Sequence, residues 1–112
     1  SRGLGDVYKR QESYVMFLNR ANKALGVSLI SKGGMAETVM DVKIILQTAL
    51  KVHASGIILS HNHPSGNLKP SEPDKQITSK IKEACKCLDL VLLDHIILTD
   101  EHYYSFTDEG LI

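Results

Sequence analysis

Tryptophan is absent from this chain of 112 residues, and cysteine, proline and aromatic residues are sparse: two Cys, three Pro, four Tyr and two Phe. Neither sign of charge prevails, since thirteen basic residues face thirteen acidic ones. A neutral chain with no basic stripe and few aromatic rings lacks the usual footprint for DNA, RNA or an anionic membrane. Nucleic acid and membrane are therefore disfavoured as partners. No apolar run approaches the ~20 residues that cross a bilayer. The polar stretch Ser1 to Gln11 has no signal-peptide core. The two cysteines, Cys85 and Cys87, lie one residue apart in a helix-like segment. At ~100° per residue they point about 200° apart, so they neither bridge each other nor share a metal readily. They read as reduced thiols of a cytoplasmic protein, with Cys85 turned to the core.

What remains is an ordinary globular composition, 43% hydrophobic and 23% charged. The length suits one compact domain over residues 1–112, with the first ten residues as a frayed or helical lead-in. Residues 13–18 read as a strand, a turn at Asn22-Lys23 returns the chain through 25–30, and Gly33-Gly34 breaks that run. Asp41 is placed to cap a helix whose apolar face carries Val42, Ile45, Leu46, Ala49, Leu50 and His53, and Ser55-Gly56 ends it. Residues 57–61 form a short apolar strand of the buried kind. A second helix runs over 72–88, with Ile77, Ile81, Ala84, Cys85 and Leu88 on its apolar side. Strand-like stretches follow at 90–93, 96–98 and 103–106. Strands alternating with two amphipathic helices predict an α/β fold with a mixed central sheet flanked by helices.

The distinctive chemistry lies between His61 and Asp74. Residues two apart on an extended chain share a face, so His61 and His63 project together where a buried strand opens into a loop. Pro64 stops the strand and Gly66 lets the loop turn back. Ser71-Glu72-Pro73-Asp74 has the form of a capping box, which would hold the first helical turn and aim the Asp74 carboxylate at the loop mouth. A lone His-x-His is common by chance, and a capping box alone is only a cap; it is their conjunction that points to a metal. Two imidazoles and one carboxylate leave a fourth tetrahedral position for water, the arrangement of catalytic rather than structural zinc sites. The expectation is one zinc ion per chain on His61, His63 and Asp74, serving hydrolysis through a metal-activated water.

The string His61-x-His63-Pro64, six residues, Ser71-x-x-Asp74 resembles the JAMM signature of the MPN-type metallopeptidases. More narrowly, His61-Asn62-His63-Pro64-Ser65-Gly66 with Pro70-Ser71 and Asp74 is similar to the bacterial RadC family, as are Asp94-His95-Ile96-Ile97 and Tyr104-Ser105-Phe106 with Gly110-Leu111. The resemblance implies a JAMM-like sheet with flanking helices, related in outline to the cytidine deaminase fold. It implies metal ligation by His61, His63 and Asp74, and a peptide or isopeptide bond as the substrate class. It further implies an oxyanion-stabilising role for Ser71 and a general-base role for Glu12 at the head of the first strand, with Glu37 as the rival base. An N-terminal helical region found in most RadC-like proteins is missing from this chain.

Other residues invite roles that their context does not favour. His53 reads as a core or helix-end residue, His102 as exposed, and Lys80, Lys82 and Lys86 as a solvated helix face. Asp94-His95 reads as a polar pair at a strand start, with orientation of a metal ligand as the alternative. Three further functions compete with the hydrolase. A scaffold keeping its metal without turnover is countered by the complete ligand set. A DNA-repair accessory or nuclease is countered by the neutral charge. A nucleobase deaminase needs His-x-Glu and Pro-Cys-x-x-Cys, and this chain has His63 at the second position and misplaced cysteines.

Overall fold

Bulky side chains that favour extended backbone bring two early segments together as a hairpin. The computed structural model describes residues 11–33 and 40–112, so the ten-residue lead-in and Glu37 lie outside the described residues. Strand β1 (Gln11–Leu18) pairs antiparallel with β2 (Ala24–Gly33), both longer than the apolar runs suggest. Asn19 closes the turn: its Oδ1 accepts from the N–H groups of Ala21 and Lys23 at 2.9 Å, while Asn22 takes a φ of 62°. Asparagine tolerates that left-handed conformation better than most residues.

Three more strands, β3 (Gly56–Asn62), β4 (Val91–Leu98) and β5 (Tyr103–Ser105), complete a mixed sheet in the order β2-β1-β3-β4-β5. Only β3 and β4 are parallel. Parallel neighbours require a crossover, and helix α2 (Glu72–Cys87) supplies it. Helix α1 (Val42–Lys51) lies between β2 and β3 in the chain. This is the α/β architecture expected from the sequence, and it is consistent with a JAB/MPN domain.

One face of the sheet builds the core. Cross-strand pairs Val15–Leu59 and Phe17–Ile57 put their side chains on the same side. Ile45 and Ala49 of α1, Ile81 and Cys85 of α2 and Leu92 of β4 bury against them in one cluster. Ile57, Leu59 and Ile81 are fully buried, and each contributes about 1.5–3 kcal/mol relative to exposure. The expected orientation of Cys85 toward the core is observed, and Cys87 is exposed.

Both helices begin on side-chain caps and end by reversing through a non-glycine residue. Asp41 accepts from the N–H groups of Lys43 at 2.9 Å and Ile44 at 3.3 Å. After α1, Ala54 N–H donates to the Ala49 carbonyl and His53 N–H to that of Leu50, with His53 at φ 57°. After α2, Leu90 donates to Cys85 and Asp89 to Lys86, with Asp89 also at φ 57°. This is the Schellman pattern, in which glycine usually holds the left-handed position. The helix therefore stops at Lys51, before Ser55-Gly56, and His53 is an exposed helix-end residue rather than a core one.

A second correction concerns β4. Residues 90–98 do not break into two strand pieces with Asp94-His95 at a start; one strand runs from Val91 to Leu98. Pairing shifts between Ile57–Leu92 and Ile58–Asp94, leaving Leu93 as the extra residue of a bulge. That bulge turns His95 onto the core face beside Leu59, and it is fully buried.

Candidate metal centre

The metal-ligating candidates come from the C-terminal end of β3 and the first turn of α2. His61 is the last buried residue of β3, and His63 follows in the loop, its N–H bonded to the Leu98 carbonyl at 2.8 Å. Their Nε2 atoms face each other at 2.9 Å. Gly66 carries the loop back with a φ of 86°, and its N–H donates to the His63 carbonyl. The Asn67 carbonyl lies 2.7 Å from His63 Nδ1. A carbonyl only accepts, so Nδ1 is the protonated nitrogen and Nε2 carries the lone pair.

The capping box forms as expected. Ser71 Oγ accepts from Asp74 N–H at 3.1 Å, and Asp74 Oδ2 accepts from Ser71 N–H at 2.8 Å. This reciprocal pair aims the carboxylate across the loop mouth. Asp74 Oδ1 lies 3.3 Å from His61 Nε2, and Oδ2 lies 3.3 Å from His63 Nε2. Burial would raise the Asp74 carboxyl, but the adjacent His61 ring and the Ser71 main-chain N–H outweigh it and hold the group well below the usual carboxylate range.

Donor atoms of His61, His63 and Asp74 all lie within 4.8 Å of one another, the one such group of three among the described residues. Zinc with nitrogen and oxygen donors at about 2.0–2.1 Å spaces them about 3.3–3.4 Å apart in a tetrahedron. Each imidazole stands at that spacing from one carboxylate oxygen, Oδ1 for His61 and Oδ2 for His63, and the imidazole pair is a few tenths of an ångström closer. Two ring nitrogens and one anionic oxygen, converging from two rigid elements, are a donor set that fits a divalent cation.

Other candidates fall into place around this triad. His95 Nε2 lies 2.8 Å from His61 Nδ1, and its Nδ1 lies 2.6 Å from Thr78 Oγ1. The ring stacks on Phe106, with centroids 4.7 Å apart and planes 12° from parallel. Burial, with the neighbouring His61 adding to it, pushes His95 down to about 3, so its ring is neutral. Of the Asp94-His95 pair, His95 thus makes the contact with a candidate ligand that the alternative reading requires. Sequence pattern alone does not single out Thr78, although its position four residues after Asp74 on the same helix is a usable signal. Asp94 works away from the triad, where its carboxylate accepts from His95 N–H, Thr107 N–H and the Ser105 hydroxyl and pins the chain beyond β5.

The Glu12 carboxylate is not among the converging donor atoms. Ser13, not Glu12, pairs with His61, and both are buried on the core face. Strand alternation sends Glu12 the other way, where its carboxylate accepts from the Tyr14 hydroxyl at 3.0 Å. Its N–H donates to Asn62 Oδ1. His53 and His102 are both exposed and belong to no such group.

A family model for the RadC-like JAB domain matches residues 2–111. The chain belongs to that family. This RadC-like domain is 52% identical over 101 residues to a UPF0758 protein of Flavobacterium johnsoniae, covering 90% of the chain and 44% of the relative. A UPF0758 protein of Porphyromonas gingivalis is 43% identical over 104 residues, covering 92% of the chain and 46% of that protein. One of Aquifex aeolicus is 38% identical over 105 residues, covering 93% and 46%. The chain thus spans less than half the length of these relatives. Among the described residues, no helix is long and apolar enough to cross a membrane.

Proposed function

We propose that this RadC-like domain is a zinc-dependent hydrolase of peptide or isopeptide bonds. The convergence of His61 Nε2, His63 Nε2 and the Asp74 carboxylate carries the reading, and membership of the JAB family supports it. When bound, zinc supplies a Lewis acid and lowers the pKa of its water from 15.7 to about 7. Three protein donors leave room for that water and for a substrate carbonyl.

The chain's own residues supply the remaining functions. Asp74 is held by the capping box before any ligand arrives, so its geometry costs nothing at the moment of binding. Ser71, exposed at the same helix start, uses its Oγ lone pair on Asp74 N–H and keeps its O–H for a developing oxyanion. A base must reach the attacking water. The Tyr14 hydroxyl engages Oε1 of Glu12 and leaves Oε2 unoccupied by that bond, and Glu37 is the other carboxylate in contention.

The decisive experiment pairs metal analysis of the purified protein with a panel of peptide and isopeptide substrates. About one zinc per chain, with hydrolysis that a chelator abolishes and zinc restores, supports the reading. Zinc content without turnover of any member would replace it with a metal-holding scaffold.

A further inference from the structure

The contacts of Thr78 and His95 set out a series of donors and acceptors that ends at His61. Thr78 Oγ1 lies 2.7 Å from the Asp74 main-chain carbonyl and 2.6 Å from His95 Nδ1. A carbonyl can only accept, so the single hydroxyl proton of Thr78 is committed to Asp74. His95 Nδ1 must then be the donor into Thr78 Oγ1. A neutral imidazole has one donor and one acceptor nitrogen, so His95 Nε2 accepts. Its partner at 2.8 Å, His61 Nδ1, must therefore carry the proton. That leaves the lone pairs of His61 Nε2 and His63 Nε2 facing each other at 2.9 Å, with the Asp74 carboxylate 3.3 Å from His61, a group of acceptors that a cation satisfies together.

We infer that Thr78 and His95 are positioning residues which, anchored on the Asp74 main-chain carbonyl, choose the tautomer of His61 and so keep its Nε2 open for a metal. The anchor is the main chain of another ligand. Three hydrogen bonds in series thus join Asp74 on α2 to His61 on β3 by way of β4. His63 needs no such relay, since the Asn67 carbonyl sets its tautomer directly. His95 and Thr78 are both buried, at 0% and 2% exposure, so no water can substitute for a missing partner without a cost.

The relay predicts its own failure. Without the Thr78 hydroxyl, His95 Nδ1–H has no acceptor. Moving the proton to Nε2 relieves that, but His95 then donates to His61 Nδ1 and pushes the His61 proton to Nε2, the nitrogen the metal needs. Loss of such an outer partner typically weakens metal binding by about 10–100-fold.

This inference rests on the metal-site reading above, and the test separates the two. Thr78→Val is nearly isosteric and lacks the hydroxyl, whereas Thr78→Ser keeps it. In the metal-free chain at pH 8, nitrogen-15 shifts of labelled histidine should report His61 protonated on Nδ1 in the parent and in Thr78→Ser, and on Nε2 in Thr78→Val. Zinc affinity, measured by chelator competition, should fall about 10–100-fold in Thr78→Val and return in Thr78→Ser. An unchanged His61 tautomer in Thr78→Val overturns the relay, and so does zinc affinity equal to the parent's. If the parent itself takes no zinc, the metal-site reading fails, and the tautomer shift still decides whether Thr78 and His95 set His61.

Discussion

Replacing Ser71 by alanine separates two jobs that one side chain performs at the mouth of the metal centre. The capping box has two bonds, and Ser71→Ala removes only one. Ser71 Oγ is lost as acceptor for Asp74 N–H, but the Asp74 carboxylate still receives the Ser71 main-chain N–H at 2.8 Å, which alanine retains. Cap loss costs about 0.5–2 kcal/mol; because this helix start is exposed and water can reach Asp74 N–H, about 1 kcal/mol is expected. With an unfolding entropy near 2.1 cal/mol/K per residue, a 112-residue chain has about 0.24 kcal/mol/K, so Tm should fall by about 4 °C. Zinc affinity should stay near that of the parent, since the carboxylate keeps its aim. Turnover of a responsive amide substrate should drop by roughly 10²–10³ if the hydroxyl meets the oxyanion. Ser71→Asp supplies a cap acceptor but, being ionised, no donor; it should recover the melting temperature and not the activity. Thermal melts in chelator, zinc competition and initial rates read the three quantities separately. A Ser71→Ala protein that loses zinc would refute the account of how Asp74 is held, and one with full turnover would leave Ser71 as a cap alone.

Four other outcomes follow from the geometry. His63→Ala and Asp74→Ala should each lose zinc by elemental analysis, while His53→Ala and His102→Ala keep it, because the latter pair are exposed and outside the cluster. His53→Gly and Asp89→Gly should each raise stability in urea by about 0.5–1 kcal/mol, since both residues hold a left-handed φ of 57° that glycine adopts without strain. At pH 8 in the native protein one thiol should alkylate readily and one should not: Cys87 is exposed, whereas burial pushes the Cys85 thiol up to about 11. Mass mapping that finds Cys85 modified first would contradict the packing described. Glu12→Gln and Glu37→Gln, compared at full zinc occupancy, identify the base as the variant whose hydrolysis falls by roughly 10²–10⁴.

Features that depend on a few neighbouring residues were legible in the chain itself. The Asp41 cap, the Ser71–Asp74 box, the buried run ending at His61 and the crossover helix all arise from contacts within about one helical turn or from side-chain period. The members of the triad were legible in the same way, as a His-x-His pair and a boxed Asp74, but their convergence depends on the loop and on the packing of the crossover helix. Tertiary structure decided what depends on register between distant strands. A single extra residue at Leu93 puts His95 on the core face against His61, where an unbroken alternation carried on from Leu92 would have turned it away. The pairing of Ser13 with His61 likewise turns Glu12 toward Tyr14, although nothing in the strand's own sequence says which of the two faces the metal centre. His53 reverses the chain after α1 because the path to β3 demands a left-handed residue there, and histidine accepts that strain in place of glycine. Local propensities are nearly the same for the alternatives in each of these cases. Only the burial of one sheet face against two helices makes them unequal in energy, and that burial exists only once the whole domain has closed.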